Sequence, residues 1–178
     1  MRKSFVRWQL AGFIFTGISG VLLHFLYDWS GKNRLAAAFS AVNESTWEHM
    51  KLLFFPMLLF SAVEYPFVGE EYENFWSVKA VGTLTGLLLI PALFYTWNGV
   101  LGPSPDWVNI TIFFIAAAMV YWLELRLSAR LTGAGKLWQG VALALLLALA
   151  AVFILWTYTP PRLPLFRDPV TGGYGLRN

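Results

Sequence analysis

The chain contains no cysteine. Disulfides, thiolate metal sites and cysteine nucleophiles are therefore excluded. Charge is scarce as well, with Asp, Glu, Lys and Arg making up 13% of the 178 residues, about half the share found in soluble domains. The net charge of +3 comes from scattered lysines and arginines rather than a basic stripe, which makes nucleic acid an unexpected partner. Histidine occurs twice, at His24 and His49. No internal repeat of the kind that marks inverted-repeat transporters is visible.

What fills the sequence instead is apolar. Hydrophobic residues make up 57%, aromatics 17%, and the mean hydropathy is +0.57. A water-soluble fold of this size would leave much of that surface exposed, so lipid is the expected solvent. A span needs roughly 20 apolar residues at 1.5 Å rise. Five segments qualify: Phe5–Trp29, His49–Phe67, Phe75–Trp97, Trp107–Leu127 and Leu137–Tyr158. The expected fold is an all-α, polytopic membrane bundle of about five transmembrane helices. The apolar stretch after Met1-Arg2-Lys3 is too long for a signal-peptide core and reads as a retained first helix.

The second span is the weakest, because Pro56 interrupts it and Glu64 lies near its end. Pro91 interrupts the third. Ser104-Pro105-Asp106 reads as a helix start, and Thr132-Gly133-Ala134-Gly135 as a short turn between spans four and five. Seven of the nine tryptophans fall near predicted helix ends, where an amphipathic ring suits the headgroup level. Gly12, Thr16 and Gly20 share one face of span one, and Gly82 and Gly86 one face of span three. Such faces serve either a homo-oligomer or packing within the bundle, and a five-helix bundle needs the second. Lysines and arginines divide almost evenly between the two sides. Arg2, Lys3 and Arg7, with the cluster Arg126, Arg130 and Lys136, favour a cytoplasmic N-terminus and an extracytoplasmic C-terminus.

An odd number of spans puts loop one, loop three and the C-terminal tail on one side. Residues 1–159 form the expected membrane domain, and 160–178 a proline-rich tail lying extended across that side. His24, Asp28, Asn43, Glu44, Glu48, His49, Asn98, Asp106 and Asn109 all fall on it. His24 and Asp28 are spaced i,i+4 on one helix face, as are Glu44 and Glu48 if their helix begins early enough. Two imidazoles with nearby carboxylates suit a divalent transition metal: Zn, Mn or Fe. The expected ligands are His24, Asp28, Glu48 and His49, with Glu44, Glu48 and His49 catalytic. Arg162 and Arg167 would neutralise an anionic substrate headgroup. Plain helix capping competes with this reading. Ser45-Thr46-Trp47-Glu48 matches a capping box, in which Glu48 reaches back to the Ser45 backbone. On the other side, Glu64 and Glu124 are expected to pair with Arg7 or Arg126, or to carry protons or cations.

The segment Asn43-Glu44-Ser45-Thr46-Trp47-Glu48-His49-Met50-Lys51, with Pro160-Pro161-Arg162-Leu163-Pro164-Leu165-Phe166-Arg167-Asp168-Pro169, resembles the signatures of an uncharacterised bacterial membrane-protein family. That resemblance spans nearly the whole chain and implies a multi-pass protein of the bacterial cell membrane, without an activity. The tryptophan-rich sensory proteins are similar in architecture, but their Trp-Ser-Pro-type motif has no counterpart here. Ser19, His24 and Asp28 resemble the first part of the alkaline ceramidase pattern, whose later histidine pair is missing, since no histidine follows His49. Three functions remain open: a metal-dependent, lipid-directed hydrolase; an ion or small-solute transporter or channel; and a sensor of apolar ligands.

Overall fold

The computed structural model describes residues 3–128 and 135–176. The predicted turn at Thr132–Ala134 and the arginines at 2, 130 and 177 lie outside the described residues. Five helices are long and apolar enough to cross a membrane, making this an all-α, multi-pass membrane protein by helix length and composition. They are α1 (Lys3–Trp29), α3 (Thr46–Val68), α4 (Phe75–Leu101), α5 (Asp106–Ser128) and α6 (Lys136–Tyr158). A four-residue helix, α2 (Arg34–Ala37), sits in loop one. It was not expected from the sequence, because so short a segment has no measurable hydrophobic period. No strand is present among the described residues, only an isolated antiparallel bridge between Arg167 and Tyr174.

α3 is the central helix, touching α1, α4, α6 and the tail. It is also the least apolar of the five spans and the most buried. A helix shielded from lipid by its neighbours can carry polar groups that an outer helix cannot. α1 and α6 have mostly outward-facing apolar surface, including Leu10, Ile14, Ile18, Val141, Leu145 and Leu155. That surface is what lipid tails would cover.

Small residues decide how closely the helices approach. A Cβ at Gly12 would lie 2.6 Å from the Tyr121 ring, and one at Gly86 2.5 Å from Val120 Cγ2. At Gly20 a Cβ would sit 3.0 Å from the Leu52 carbonyl oxygen. Leu52 is the carbonyl that Pro56, four residues on, cannot bond within the helix. The α1 backbone thus passes beside the break that Pro56 makes in α3. The small-residue faces named in the sequence are contacts within the bundle.

The tail does not simply run extended. It makes a 3₁₀ turn at Pro164–Phe166 and drives Phe166 into a buried aromatic cluster, with ring centroids 4.7 Å from Trp47 and 5.4 Å from Trp156. It then folds back through a turn in which Val170 N–H and the Thr171 hydroxyl donate to the Asp168 carboxylate at 2.9 and 2.6 Å. The prolines favour extended backbone, but Asp168-Pro169 and Gly172 supply turn chemistry that outweighs them locally. Asn43 Nδ2 donates to Gly175 O at 2.9 Å and ties the end of the tail to loop one. Gly175 has φ 59, and a Cβ there would fall 2.6 Å from Thr157 O.

Candidate metal centre

His24 projects from α1 about one and a half turns before its end at Trp29. His49 lies in the first turn of α3, and Glu44 just before its cap. Ser45 starts the helix: its hydroxyl accepts from Glu48 N–H at 3.4 Å, and its own N–H donates to Asn43 Oδ1 at 2.9 Å. Glu44 is thereby left outside the helix, with its carboxylate over both imidazoles. Glu44 Oε2 is 3.4 Å from His49 Nε2, and Oε1 is 3.8 Å from His24 Nε2.

One ligand atom from each of His24, Glu44 and His49 lies within 4.8 Å of the others, so the three could hold a metal ion. The spacing suits that role. Donors about 2.1 Å from a tetrahedral ion lie about 3.4 Å from each other. Tautomer chemistry agrees. His49 Nδ1 is 3.0 Å from the Ser45 carbonyl, which can only accept, so Nδ1 carries the proton and Nε2 keeps a free lone pair. His24 Nδ1 is buried without a hydrogen-bond partner. Beside the group opens a cleft of about 270 Å³, bordered by Glu44, His49, Asn98, Ser104, Asp106 and Asn109 and floored by Ile90, Phe94, Ile112 and Phe113. Ser104 links the cleft wall, its N–H donating to Asn98 Oδ1 at 3.0 Å and its hydroxyl to Asn109 Oδ1 at 2.8 Å. Pro169 and Val170 of the tail close one side.

Three donors within 4.8 Å of one another, two of them bordering a cleft, are what the site offers chemically. The chain belongs to a family of unknown function, DUF6512. The family model matches residues 1–176, which agrees with the expected whole-chain membership in a family without a known activity. No curated protein and no solved structure matches it.

The other residues singled out from the sequence fall elsewhere. Glu48 is not in the metal group. It is buried in an ion pair with Lys51 at 2.7 Å and accepts from Val42 N–H at 3.1 Å. It does not reach back to Ser45 N–H, which Asn43 already satisfies, so only the Ser45 half of the capping box forms. Lys51, fully buried, also donates to Ala37 O at 2.9 Å and to the Thr157 hydroxyl at 2.7 Å, joining loop one, α3 and α6. Asp28 is exposed at the end of α1, outside the group of three. Arg162 and Arg167 are exposed on the tail and do not border the cleft. Asp168, not singled out as a site residue, is buried and close enough to His49 to act on it electrostatically.

The opposite end of the bundle also differs from expectation. Glu64 and Glu124 pair with Lys79, while Arg7 and Arg126 are exposed. Lys79 does not stand out in the sequence, because nothing in its local pattern distinguishes a buried lysine. Between the two polar ends α3 buries Leu52, Leu53, Phe54, Pro56, Met57 and Phe60. A separate apolar hollow of about 330 Å³ lies between α4 and α5, lined by residues including Leu93, Trp97, Trp107 and Ile115.

Proposed function

We propose that this protein is a metal-dependent hydrolase acting on lipids at the membrane surface, with His24, Glu44 and His49 holding the metal. The convergence of two imidazoles and one carboxylate, with one ligand atom of each within 4.8 Å of the others, carries this reading. Two histidines with one carboxylate form a zinc-hydrolase donor set that leaves a fourth position for water. Two of the three residues, Glu44 and His49, border the cleft. His24, Glu44 and His49 would hold the metal, which when bound would activate water for hydrolysis. Asp106, the second carboxylate on the cleft wall, is the proton acceptor in this scheme, and Asn98 and Asn109 orient the substrate.

The cleft wall favours a neutral headgroup. Its polar lining is carboxylate, amide, hydroxyl and the His49 imidazole, without lysine or arginine. An ester or amide lipid fits this lining better than a phosphate ester, and its acyl chain fits the Ile90–Phe94–Ile112–Phe113 floor. Arg162 and Arg167 then meet bilayer phosphates and hold the tail against the surface rather than binding the reacting group. Glu48 and Lys51 position the α3 start.

Orientation belongs to the same proposal: N-terminus cytoplasmic, site extracytoplasmic, in a bacterial cell membrane. Burial of Lys51 and Lys79 in ion pairs removes one cation from each side, so the vote still rests on the termini and the α5–α6 loop. A C-terminal alkaline phosphatase fusion should be active, and an equally bright C-terminal green fluorescent fusion would reverse the orientation.

Elemental analysis of protein purified from cells grown with Zn, Mn and Fe tests the site. Stoichiometric metal is expected in the wild type and in Glu48→Gln, and its loss in His24→Ala and His49→Ala. Absence of metal from the wild type, or equal content in the histidine variants, refutes the proposal. Metal-loaded protein is then assayed against neutral ester and amide lipids in mixed micelles.

A further inference from the structure

At the end of the bundle away from the histidines, four long helices each contribute one polar side chain to a single buried cluster. Gln9 comes from α1, Glu64 from α3, Lys79 from α4 and Glu124 from α5, and none is more than 1% exposed. Lys79 Nζ lies 2.6 Å from Glu64 Oε2 and 2.6 Å from Glu124 Oε2. Gln9 Nε2 donates to Glu64 Oε1 at 3.0 Å. Glu64 and Glu124 each stand one helical turn from the end of their helix, and Lys79 one turn from the start of its own, so the cluster is about 6 Å inside the spans.

The charges do not balance. Among the described residues the cluster holds two carboxylates and one ammonium; Arg7 and Arg126, two residues from Gln9 and Glu124, are exposed, and the buried Tyr121 hydroxyl is hydrogen-bonded to Thr16 at 2.7 Å. A surplus buried charge costs several kcal/mol, and such groups persist only when something neutralises them. Glu64 Oε2 is taken by Lys79, which leaves two acceptor atoms to do so. Gln9 Oε1 and Glu124 Oε1 are both buried without a hydrogen-bond partner. Space there is small, because the α4 backbone passes close by: a Cβ at Gly82 would sit 2.9 Å from Glu124 Oε1.

We propose that Gln9, Glu64, Lys79 and Glu124 form a binding site for one monovalent cation, a proton or Na⁺, taken up at Glu124 Oε1 and Gln9 Oε1. The site is independent of the metal centre. It shares no residue with the metal centre and lies beyond an apolar layer from it. Charge balance sets its stoichiometry at one cation, and the close approach of Gly82 limits the cation's size. Lys79 keeps the two carboxylates together whether or not the cation is present.

Infrared spectroscopy and thermal unfolding of the full chain in nanodiscs test this. A proton at the site gives a protonated-carboxyl stretch at neutral pH that shifts in D₂O and disappears in Glu124→Gln. Na⁺ at the site instead gives no such band in NaCl, and a melting temperature that rises with NaCl against N-methylglucamine chloride at equal ionic strength. That rise is lost in Glu124→Gln. This variant is close in shape and removes the surplus charge, so it is expected to fold. Lys79→Met should add a second protonated-carboxyl band in the proton case. If the wild type has neither a protonated-carboxyl band nor a Na⁺-dependent melting temperature, the cluster carries no cation and the proposal is overturned. The wild-type measurements decide this even if a variant fails to fold.

Discussion

Replacing either member of the Glu48–Lys51 pair should destabilise the site face without removing a ligand of the proposed metal centre. The pair is fully enclosed, with side chains 2% and 0% exposed and a separation of 2.7 Å. Glu48→Leu leaves Lys51 with only Ala37 O and Thr157 Oγ1 as partners, both neutral. Lys51→Met leaves the Glu48 carboxylate with Val42 N–H and the Thr157 hydroxyl. Breaking a buried ion pair by removing one partner costs about 3–5 kcal/mol. At about 1.4 kcal/mol per factor of ten, the folded-to-unfolded ratio should drop between about 100-fold and a few thousand-fold. The double variant removes both charges and should recover at least about half of the loss, because no unpaired ion remains. Equilibrium unfolding in mixed micelles, followed by circular dichroism, measures all three. Two results refute the reasoning: single-variant losses below about 1 kcal/mol, or a double-variant loss equal to the sum of the singles. Metal content in Glu48→Gln, unchanged from wild type, separates this structural role from that of a ligand.

Four further outcomes follow from particular contacts. Protons compete with a metal for both imidazoles, so metal bound at His24 and His49 should be released as pH falls from about 8 to about 5, and equal content by elemental analysis at both ends would contradict the ligand assignment. Tyr121→Phe strands the buried Thr16 hydroxyl and should destabilise by about 1–3 kcal/mol in the same unfolding assay, whereas adding Thr16→Val should bring the protein back near wild type. Gly86→Leu forces a side chain into Val120 and Leu53, whose atoms would lie 2.5 and 2.8 Å from its Cβ, and should lower stability by about 1–3 kcal/mol. Asn43→Ala removes the bond to Gly175 O and should raise the rate of limited proteolysis within residues 160–176 several-fold, with the five spans left protected.

How far each feature could be read depends on how local its cause is. Pro56 and Glu64 made the second span look weakest, yet α3 is the central helix of the bundle, and the same residues that lowered its apolar score need the shelter of neighbours. The small residues of α1 and α4 predicted close contacts correctly, but not that Gly20 would meet the Leu52 carbonyl. Glu44 and Glu48 were equivalent by i,i+4 spacing. The Ser45 cap separates them: Glu44 stays outside the helix over the imidazoles, and Glu48 turns inward to Lys51. Lys51 and Lys79 gave no sign of burial: Lys79 meets Glu64 and Glu124 from α3 and α5, and Lys51, although three residues from Glu48, is enclosed by Ala37 of loop one and Thr157 of α6.

Span number, length and the sharing of one face by both histidines were determined by the sequence alone. They follow from hydrocarbon thickness, helical rise and the parity of the crossings, which act on contiguous residues. Which carboxylate joins the histidines, which lysines are buried, and how the tail folds back were decided only in the tertiary structure. Those outcomes depend on distances between segments far apart in the chain. The desolvation of a charge by surrounding helices selects its partner, and no local pattern records it.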